Sequence, residues 1–262
     1  MTEDRQRNVA GSLDAVTRRE EIATNLSAVQ ARIDRACTVA GRDPSEITLI
    51  VVTKFHPAQD IGHLVELGVT DIGENRDQEA GAKIAELDPA TRAPLTVHFI
   101  GQLQTNKAKH VVQYADCVQS VDRAKLAGAL DRAAAGRSTG VGGAGEEARL
   151  DVLLQVDLGE GEDAGRGGIL PDEVDALADT VAATEHLRLR GLMAVAPLGL
   201  DRAGTEAAFG RLATLSGRVR ETHPDATILS AGMSGDLELA VASGATHLRV
   251  GTAILGSRPD QR

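Results

Sequence analysis

The sequence predicts a single (β/α)8 barrel of the TIM type, preceded by one extra helix at the N-terminus. Three observations predict it. Apolar, β-branched runs occur eight times, with stretches of helical spacing between them. The 262 residues are 42% hydrophobic, enough for the core of one large barrel. With no Trp, one Tyr and three Phe, that core must be packed from Val, Leu, Ile and Ala, which suits a parallel sheet covered by helices. A doubly wound sheet could use the same alternation, but eight regular units without a second domain favour the barrel.

Each element follows from local pattern. Residues 1–16 are expected to be flexible. Residues 17–40 read as a helix, with Thr17 and Glu20 at capping-box spacing and Ile22, Leu26, Val29 and Ile33 on one face. Gly41 and Pro44 close it. Strands are expected at 47–53, 70–73, 96–100, 117–121, 151–158, 187–196, 227–231 and 246–254. Helices are expected at about 58–67, 77–87, 105–114, 123–135, 171–184, 204–222 and 235–243. Residues 136–148 are Gly-rich, polar and aperiodic, the pattern of a surface loop too short to divide the chain, so 1–262 is read as one domain.

Several function classes lose support at once. A formal charge of −10 would repel nucleic acid over much of the surface. Cys37 and Cys117 give neither a disulfide framework nor a zinc spacing, which fits a reducing cytoplasm. No stretch approaches the ~18 apolar residues that a membrane span needs, so a cytoplasmic protein without membrane contact is expected. The seven histidines form no HxxxH pair, and no metal site is expected. His63, His110, His186 and His223 read as surface or structural groups, and His98 and His247 as satisfied core histidines. Residues 140–145 match GxGxxG but precede a strand instead of following one. The glycines after residue 158 place acidic groups where a pyrophosphate would lie.

In a barrel the chemistry sits at the C-terminal ends of the strands. Lys54 ends an apolar first strand. Its stem could cover the strand end while the ammonium reaches water, or it could serve as an amine nucleophile toward an aldehyde. Glu74 and Asn75 follow the second strand, where Asn75 could also cap a helix. Lys107 stands at a helix start against the dipole, which points to a functional or anion-related role. Residues 227–236 read as strand, glycine turn and a helix opening near Ser234, whose free N–H groups would cradle an anion. In the last strand, Gly251 admits close backbone approach and Thr252 adds a donor, completing a phosphate site of the kind barrels build after their final two strands. Arg249 lies within that apolar strand and demands an acceptor, either a structural carboxylate or a ligand atom such as a ring nitrogen.

Taken together, these residues resemble the fold-type III pyridoxal 5′-phosphate (PLP) proteins, and more closely the YggS-type PLP homeostasis family. The resemblance rests on Val-Val-Thr-Lys54-Phe-His-Pro, Gly-Glu-Asn75-Arg-Asp-Gln-Glu79, His98-Phe-Ile-Gly-Gln-Leu-Gln-Thr-Asn-Lys107, Gly191-Leu-Met193, Ser230-Ala-Gly-Met-Ser234-Gly-Asp236 and Arg249-Val-Gly-Thr-Ala-Ile-Leu-Gly256. These blocks run in the family's order from about residue 20 to the end. The resemblance implies PLP held as a Schiff base on Lys54, phosphate contacts near Ser234, Gly251 and Thr252, and Arg249 facing the pyridine nitrogen. It also implies that Asn75 and Met193 line the pocket. Thr53, Phe55, Val97, Arg76 and Asp77 depart from the family's more usual residues, and residues 136–148 are a local elaboration.

Alanine racemase resembles this chain in its barrel, but adds a β-rich domain and a catalytic Tyr from the partner subunit. Here the only Tyr, Tyr114, is expected on a helix before the fourth strand. A two-base racemase needs acids on both faces of the substrate carbon, and only Lys54 offers one. The expected function is therefore that of a PLP carrier or buffer in PLP homeostasis, without strong catalytic activity. The alternatives are a PLP-dependent racemase or decarboxylase of a small amino acid, and a Schiff-base aldolase on a phosphorylated sugar. The expected partners are PLP and apo PLP-dependent enzymes, with the chain a monomer or weak dimer.

Overall fold

The computed structural model describes residues 3–135, 137, 149–159 and 167–257, with side chains from residue 17 onward. Eight parallel strands close into a barrel in the order β1-β2-β3-β4-β5-β6-β7-β8. They are β1 (Thr48–Val52), β2 (Asp71–Glu74), β3 (Thr96–Phe99), β4 (Cys117–Val121), β5 (Leu150–Gln155), β6 (Leu187–Met193), β7 (Ile228–Ser230) and β8 (His247–Val250). Closure comes from β1 pairing with β8, with Val51 opposite Val250, and with β2, where Val51 is opposite Ile72. The expected (β/α)8 barrel with an N-terminal helix is the fold observed.

The helices are α1 (Glu3–Ala40), α2 (Ala58–Glu66), α3 (Asp77–Ala85), α4 (Pro89–Arg92), α5 (Ala108–Val111), α6 (Ala124–Ala134), α7 (Val174–Ala182), α8 (Arg202–Thr222), α9 (Leu237–Ala242) and α10 (Thr252–Leu255). The main core lies between strands and helices and is mostly aliphatic, with Phe99, Phe209 and Tyr114 its aromatic members. A smaller cluster inside the barrel joins Cys117, Leu153 and Met193, with Ile228 packed against it. The amphipathic face of α1 carries Ile22, Val29 and Ile33 into the main core, and the helix lies against α9 and α10.

Several boundaries differ from the sequence reading. The helix expected at 105–114 is a 3-10 turn at Thr105–Lys107 followed by α5, so Tyr114 lies in the turn beyond it, and the strand expected to reach 196 ends at Met193. The first helix begins at Glu3, so Thr17 lies inside it and the Thr17–Glu20 capping box does not mark its start. The last strand stops at Val250 rather than running to 254, because Gly251 turns the backbone and Thr252–Leu255 form a short helix. Helix α4, capped by Asp88 and opened by Pro89, was missed within a stretch too short to show periodicity. The Gly-rich segment 136–148 lies outside the described residues apart from Arg137.

Candidate functional site

Lys54 is the second residue after β1 and is half-buried at the C-terminal mouth of the barrel. Among the described residues it has no hydrogen bond or ion pair with any protein group. Its backbone, by contrast, is gripped from behind. Lys83 Nζ, on α3, donates to the carbonyl of Thr53 at 2.8 Å, to Glu74 Oε1 at 2.8 Å and to Glu79 Oε1 at 3.2 Å. Thr53 Oγ1 donates to Glu74 Oε1 at 2.6 Å, and the Phe55 N–H donates to Glu79 Oε1. Phe55 is held at φ +67°, a left-handed conformation costly for an aromatic residue, with its ring under the Arg76 guanidinium. Burial pushes the Glu74 carboxyl up from its ordinary range, against the pull of the Lys83 charge and of the hydrogen bonds from Lys83 and Thr53. These groups form a clamp that fixes both peptide links of Lys54 while leaving its amine free.

Next to Lys54, at the end of β2, Asn75 carries a buried Oδ1 with no partner among the described residues. On the other side of β1, Gly251 presses against the strand end. A Cβ at that position would lie 3.1 Å from the Val52 carbonyl oxygen and 3.2 Å from Val52 Cβ. Thr252 is exposed and opens α10, whose first N–H groups are left for an outside acceptor, as at any helix start. In the β7–α9 turn, Gly232 at φ +91° makes the bend, and Asp236 receives the Met233 N–H at 2.6 Å. Ser234 lies in this turn, three residues before α9 begins at Leu237, so it stands in the loop rather than at the helix start. Helix α1 fixes both sides of the cradle: Arg32 donates to the Ser234 carbonyl at 3.0 Å and to Glu238, Asn25 to the Ile254 carbonyl at 3.0 Å, and Arg18 to the Leu255 carbonyl at 2.9 Å. The extra helix is thus tied to the loops of the mouth.

Arg249 is almost wholly buried, and among the described residues no carboxylate stands within ion-pair distance of it. Its Nη1 donates to Ser230 Oγ at 2.7 Å and its Nη2 to the Ala194 carbonyl at 2.8 Å. Burial pushes the guanidinium down to about 10, opposed by the charge of Asp236. The acceptors found among the described residues are thus neutral protein groups, and the structural carboxylate that the sequence allowed is not among them. Met193 is buried in the cluster inside the barrel with Cys117 and Leu153, one strand away from Ser230, so it floors the mouth.

Lys107 is half-exposed and its Nζ lies 3.7 Å from Asp77 Oδ2. Asp77 also meets His110 Nδ1 at 2.5 Å and the Tyr114 hydroxyl at 3.4 Å. The charge of Lys107 is therefore matched locally, which accounts for a lysine at a helix start without an anion. A cleft of about 440 Å³ runs beside it, lined by Asn75, Arg76, Glu79, Gln102 and Gln104 among others. The clamp lysine Lys83 was missed in the sequence because Glu79 and Lys83, four residues apart, look like any surface helix pair. Gln119 and Ser230 were missed as interior groups because each occurs once within an apolar strand.

A closed parallel barrel with a lysine after its first strand that has no partner among the described residues, and helix openings after its last strands, places this chain among the (β/α)8 barrels with a candidate ligand site at the C-terminal mouth. Residues 24–259 match the family described as alanine racemase, N-terminal domain. The "Pyridoxal phosphate homeostasis protein" of Mycobacterium tuberculosis is 41% identical over 259 residues, 95% of this chain and 98% of the relative. The structure of PipY from Synechococcus elongatus with PLP bound is 36% identical, with a TM-score of 0.74, and the match covers 90% of this chain and all of PipY. The chain belongs to the alanine racemase N-terminal domain family, in its branch of pyridoxal phosphate homeostasis proteins. An alanine racemase from Clostridium difficile, 14% identical with a TM-score of 0.69, shares the fold over 92% of this chain and 58% of its own length.

Proposed function

We propose that this chain binds PLP and buffers or carries it in the cytoplasm, with Lys54 holding the cofactor as a Schiff base. The observation that carries the proposal is Lys54 itself: an amine at the barrel mouth with no protein partner among the described residues, on a backbone clamped from both sides. PLP supplies, when bound, an aldehyde for that amine and a ring that withdraws electrons. Ser234, Gly251 and Thr252 would hold its phosphate, and Asn75 and Met193 would line its ring. Arg249 would donate to the ring nitrogen. A guanidinium at about 10 remains charged at neutral pH and has only hydrogens to offer, so it would keep that nitrogen unprotonated and the ring a weak electron sink. The Asn75 Oδ1 without a partner and the absence of a carboxylate within ion-pair distance of Arg249, both among the described residues, suit such a guest, and at Gly251 the close approach to Val52 leaves a Cβ only a tight fit.

A carrier role fits better than turnover. Tyr114 is bound to Asp77 and buried, and burial and the Asp77 charge push its hydroxyl well up, which removes it as a second acid. The whole chain would act as one cofactor-binding domain, as a monomer or weak dimer. Apo PLP-dependent enzymes would be its recipients. Val195, Leu198, Leu200 and Met233 stand exposed on the loops after β6 and β7, beside the phosphate cradle, and would meet them. Both cysteines are free and buried, in keeping with a reducing compartment. Among the described residues, no helix is long and apolar enough to cross a membrane.

The test is an absorption spectrum of the chain with PLP, followed by borohydride reduction and peptide mapping. The label is expected on Lys54, and Lys54→Ala should lose the lysine-bound band. A label on another lysine, or a full band in Lys54→Ala, overturns the assignment.

A further inference from the structure

Inside the barrel, one line of hydrogen bonds runs from the N-terminal end of β2 to Arg249. Asp71 Oδ1 meets His98 Nε2 at 3.0 Å, His98 Nδ1 meets Gln119 Nε2 at 3.0 Å, and Gln119 Oε1 accepts from Ser230 Oγ at 2.7 Å. Ser230 Oγ in turn accepts from Arg249 Nη1 at 2.7 Å. Five strands contribute: β2, β3, β4, β7 and β8. The inner members exclude water, with His98 3%, Gln119 0%, Ser230 0% and Arg249 4% exposed.

Arg249 sets the first bond of the line, because a guanidinium can only donate and Ser230 Oγ therefore accepts from it. The Gln119 amide sets the rest: its Oε1 takes the Ser230 hydrogen, and its N–H points at His98 Nδ1. His98 must accept there, which leaves its hydrogen on Nε2 for Asp71. Asp71 is a suitable terminus: burial acts to raise its carboxyl, but hydrogen bonds from His98 and Thr70 hold it below the ordinary range. Barrel interiors are normally filled by layers of branched aliphatic side chains, and each polar group buried there must be satisfied. A relay this long, with one polarity from end to end, is a poor way to fill space.

We infer that Gln119, His98 and Asp71 are positioning residues that hold Arg249 in one orientation, with its remaining N–H groups directed to the ring nitrogen of the cofactor. The relay also places a carboxylate at the far end from a buried arginine that, among the described residues, has none within ion-pair distance. This inference rests on the PLP reading above. It assigns to residues that touch no ligand the task of keeping the arginine a fixed donor.

The experiment measures the absorption maximum of bound PLP and its release rate to a trapping apoenzyme. The chains compared are the unaltered one, Arg249→Leu, Gln119→Leu, His98→Leu and His98→Gln. A Gln at 98 can still accept from Gln119 and donate to Asp71. Gln119→Leu and His98→Leu are expected to move the maximum in the same direction as Arg249→Leu and to speed release about tenfold, the effect of one lost charge-assisted hydrogen bond. His98→Gln is expected to stay close to the unaltered chain. If Arg249→Leu moves both readouts while the relay variants leave them unchanged, the relay inference falls and the PLP reading stands. If the unaltered chain forms no band with PLP, the PLP reading fails, and the relay loses its function with it. Should a variant not fold, nitrogen NMR of His98 in the unaltered, PLP-free chain at pH 7.5 decides: hydrogen on Nε2 and a bare Nδ1 support the relay, and the opposite tautomer overturns it.

Discussion

Lys83 and Lys54 flank the same strand end, one between the barrel wall and α3, the other at the mouth. Lys83 is buried and donates to three acceptors, Thr53 O, Glu74 Oε1 and Glu79 Oε1. Lys54 is half-buried and, among the described residues, donates to none. The same contrast separates two arginines. Arg18 is tied to Asp60, Glu21 and the Leu255 carbonyl, whereas Arg249 has two neutral acceptors and no carboxylate within ion-pair distance among the described residues. Where cations serve the fold their acceptors are supplied by the chain. At the mouth, acceptors are withheld and the backbone is fixed instead, which is the arrangement a ligand site needs. The two regions should respond to mutation in opposite ways.

The largest effect is expected on the structural side. Lys83→Met leaves the buried Glu74 without its counter-charge and the Thr53 carbonyl without its donor, and should destabilise the fold by about 3–5 kcal/mol. Urea denaturation should show a lower midpoint with an unchanged slope. Adding Glu74→Gln should recover much of the loss, because burial already disfavours the charged carboxyl there. Lys54→Ala, by contrast, should change stability by less than about 0.5 kcal/mol while removing the lysine-bound PLP band. An equal loss of stability in both variants would dissolve the contrast.

A second, smaller effect belongs to the floor of the barrel. Burial pushes the His247 imidazole down to about 4, with His98, Arg190 and Arg249 acting in the same sense and Asp71 against them. Its other neighbour is the Thr246 hydroxyl, at 2.9 Å from Nδ1. The folded chain therefore keeps His247 neutral where the unfolded chain, titrating near 6.5, already binds a proton. Stability from this group is complete above about pH 6.5 and is lost as the pH falls toward 4. Between pH 7 and 5 the loss is about 2 kcal/mol. Subtracting the melts of His247→Gln from those of the unaltered chain isolates it, and a difference that does not vary over this window would show that His247 is not held neutral.

The barrel was legible because period and punctuation agree in nearly every unit, and the mouth because its residues fall at strand ends. What escaped was contact across the wall. Nothing in the spacing of Glu79 and Lys83 distinguishes a buried clamp from an exposed helix pair, since the difference lies in which face α3 turns to β1 and β2. Gln119 and Ser230 were equally silent, because polar residues in short apolar runs gain meaning only when closure brings β4 opposite β7. The short helix α10 was read as strand, since Thr-Ala-Ile-Leu suits either and only the turn at Gly251 decides. His98 and Arg249 were visible as buried polar residues in need of partners, but not as members of one line.

Two changes at the mouth carry the smallest expected effects on stability and the sharpest on ligand handling. In Gly251→Ala the new methyl would sit 3.1 Å from the Val52 carbonyl oxygen, so β1 and the start of α10 must part by a few tenths of an ångström. The φ of Gly251, −117°, is not left-handed, so the change acts through this displacement, which falls on the start of α10 and the donors proposed there for the phosphate. PLP should bind about tenfold more weakly, roughly one well-aligned hydrogen bond, with little change in thermal stability. Leu198→Asp goes further in the same direction. Leu198 is 76% exposed, so the chain loses almost no buried surface, and both the PLP band and the melt should be unchanged. If recipients meet the apolar residues beside the cradle, transfer of PLP to an apoenzyme should slow severalfold while spontaneous release stays constant. An unchanged transfer rate would mean that release into solution, and not contact at this face, delivers the cofactor.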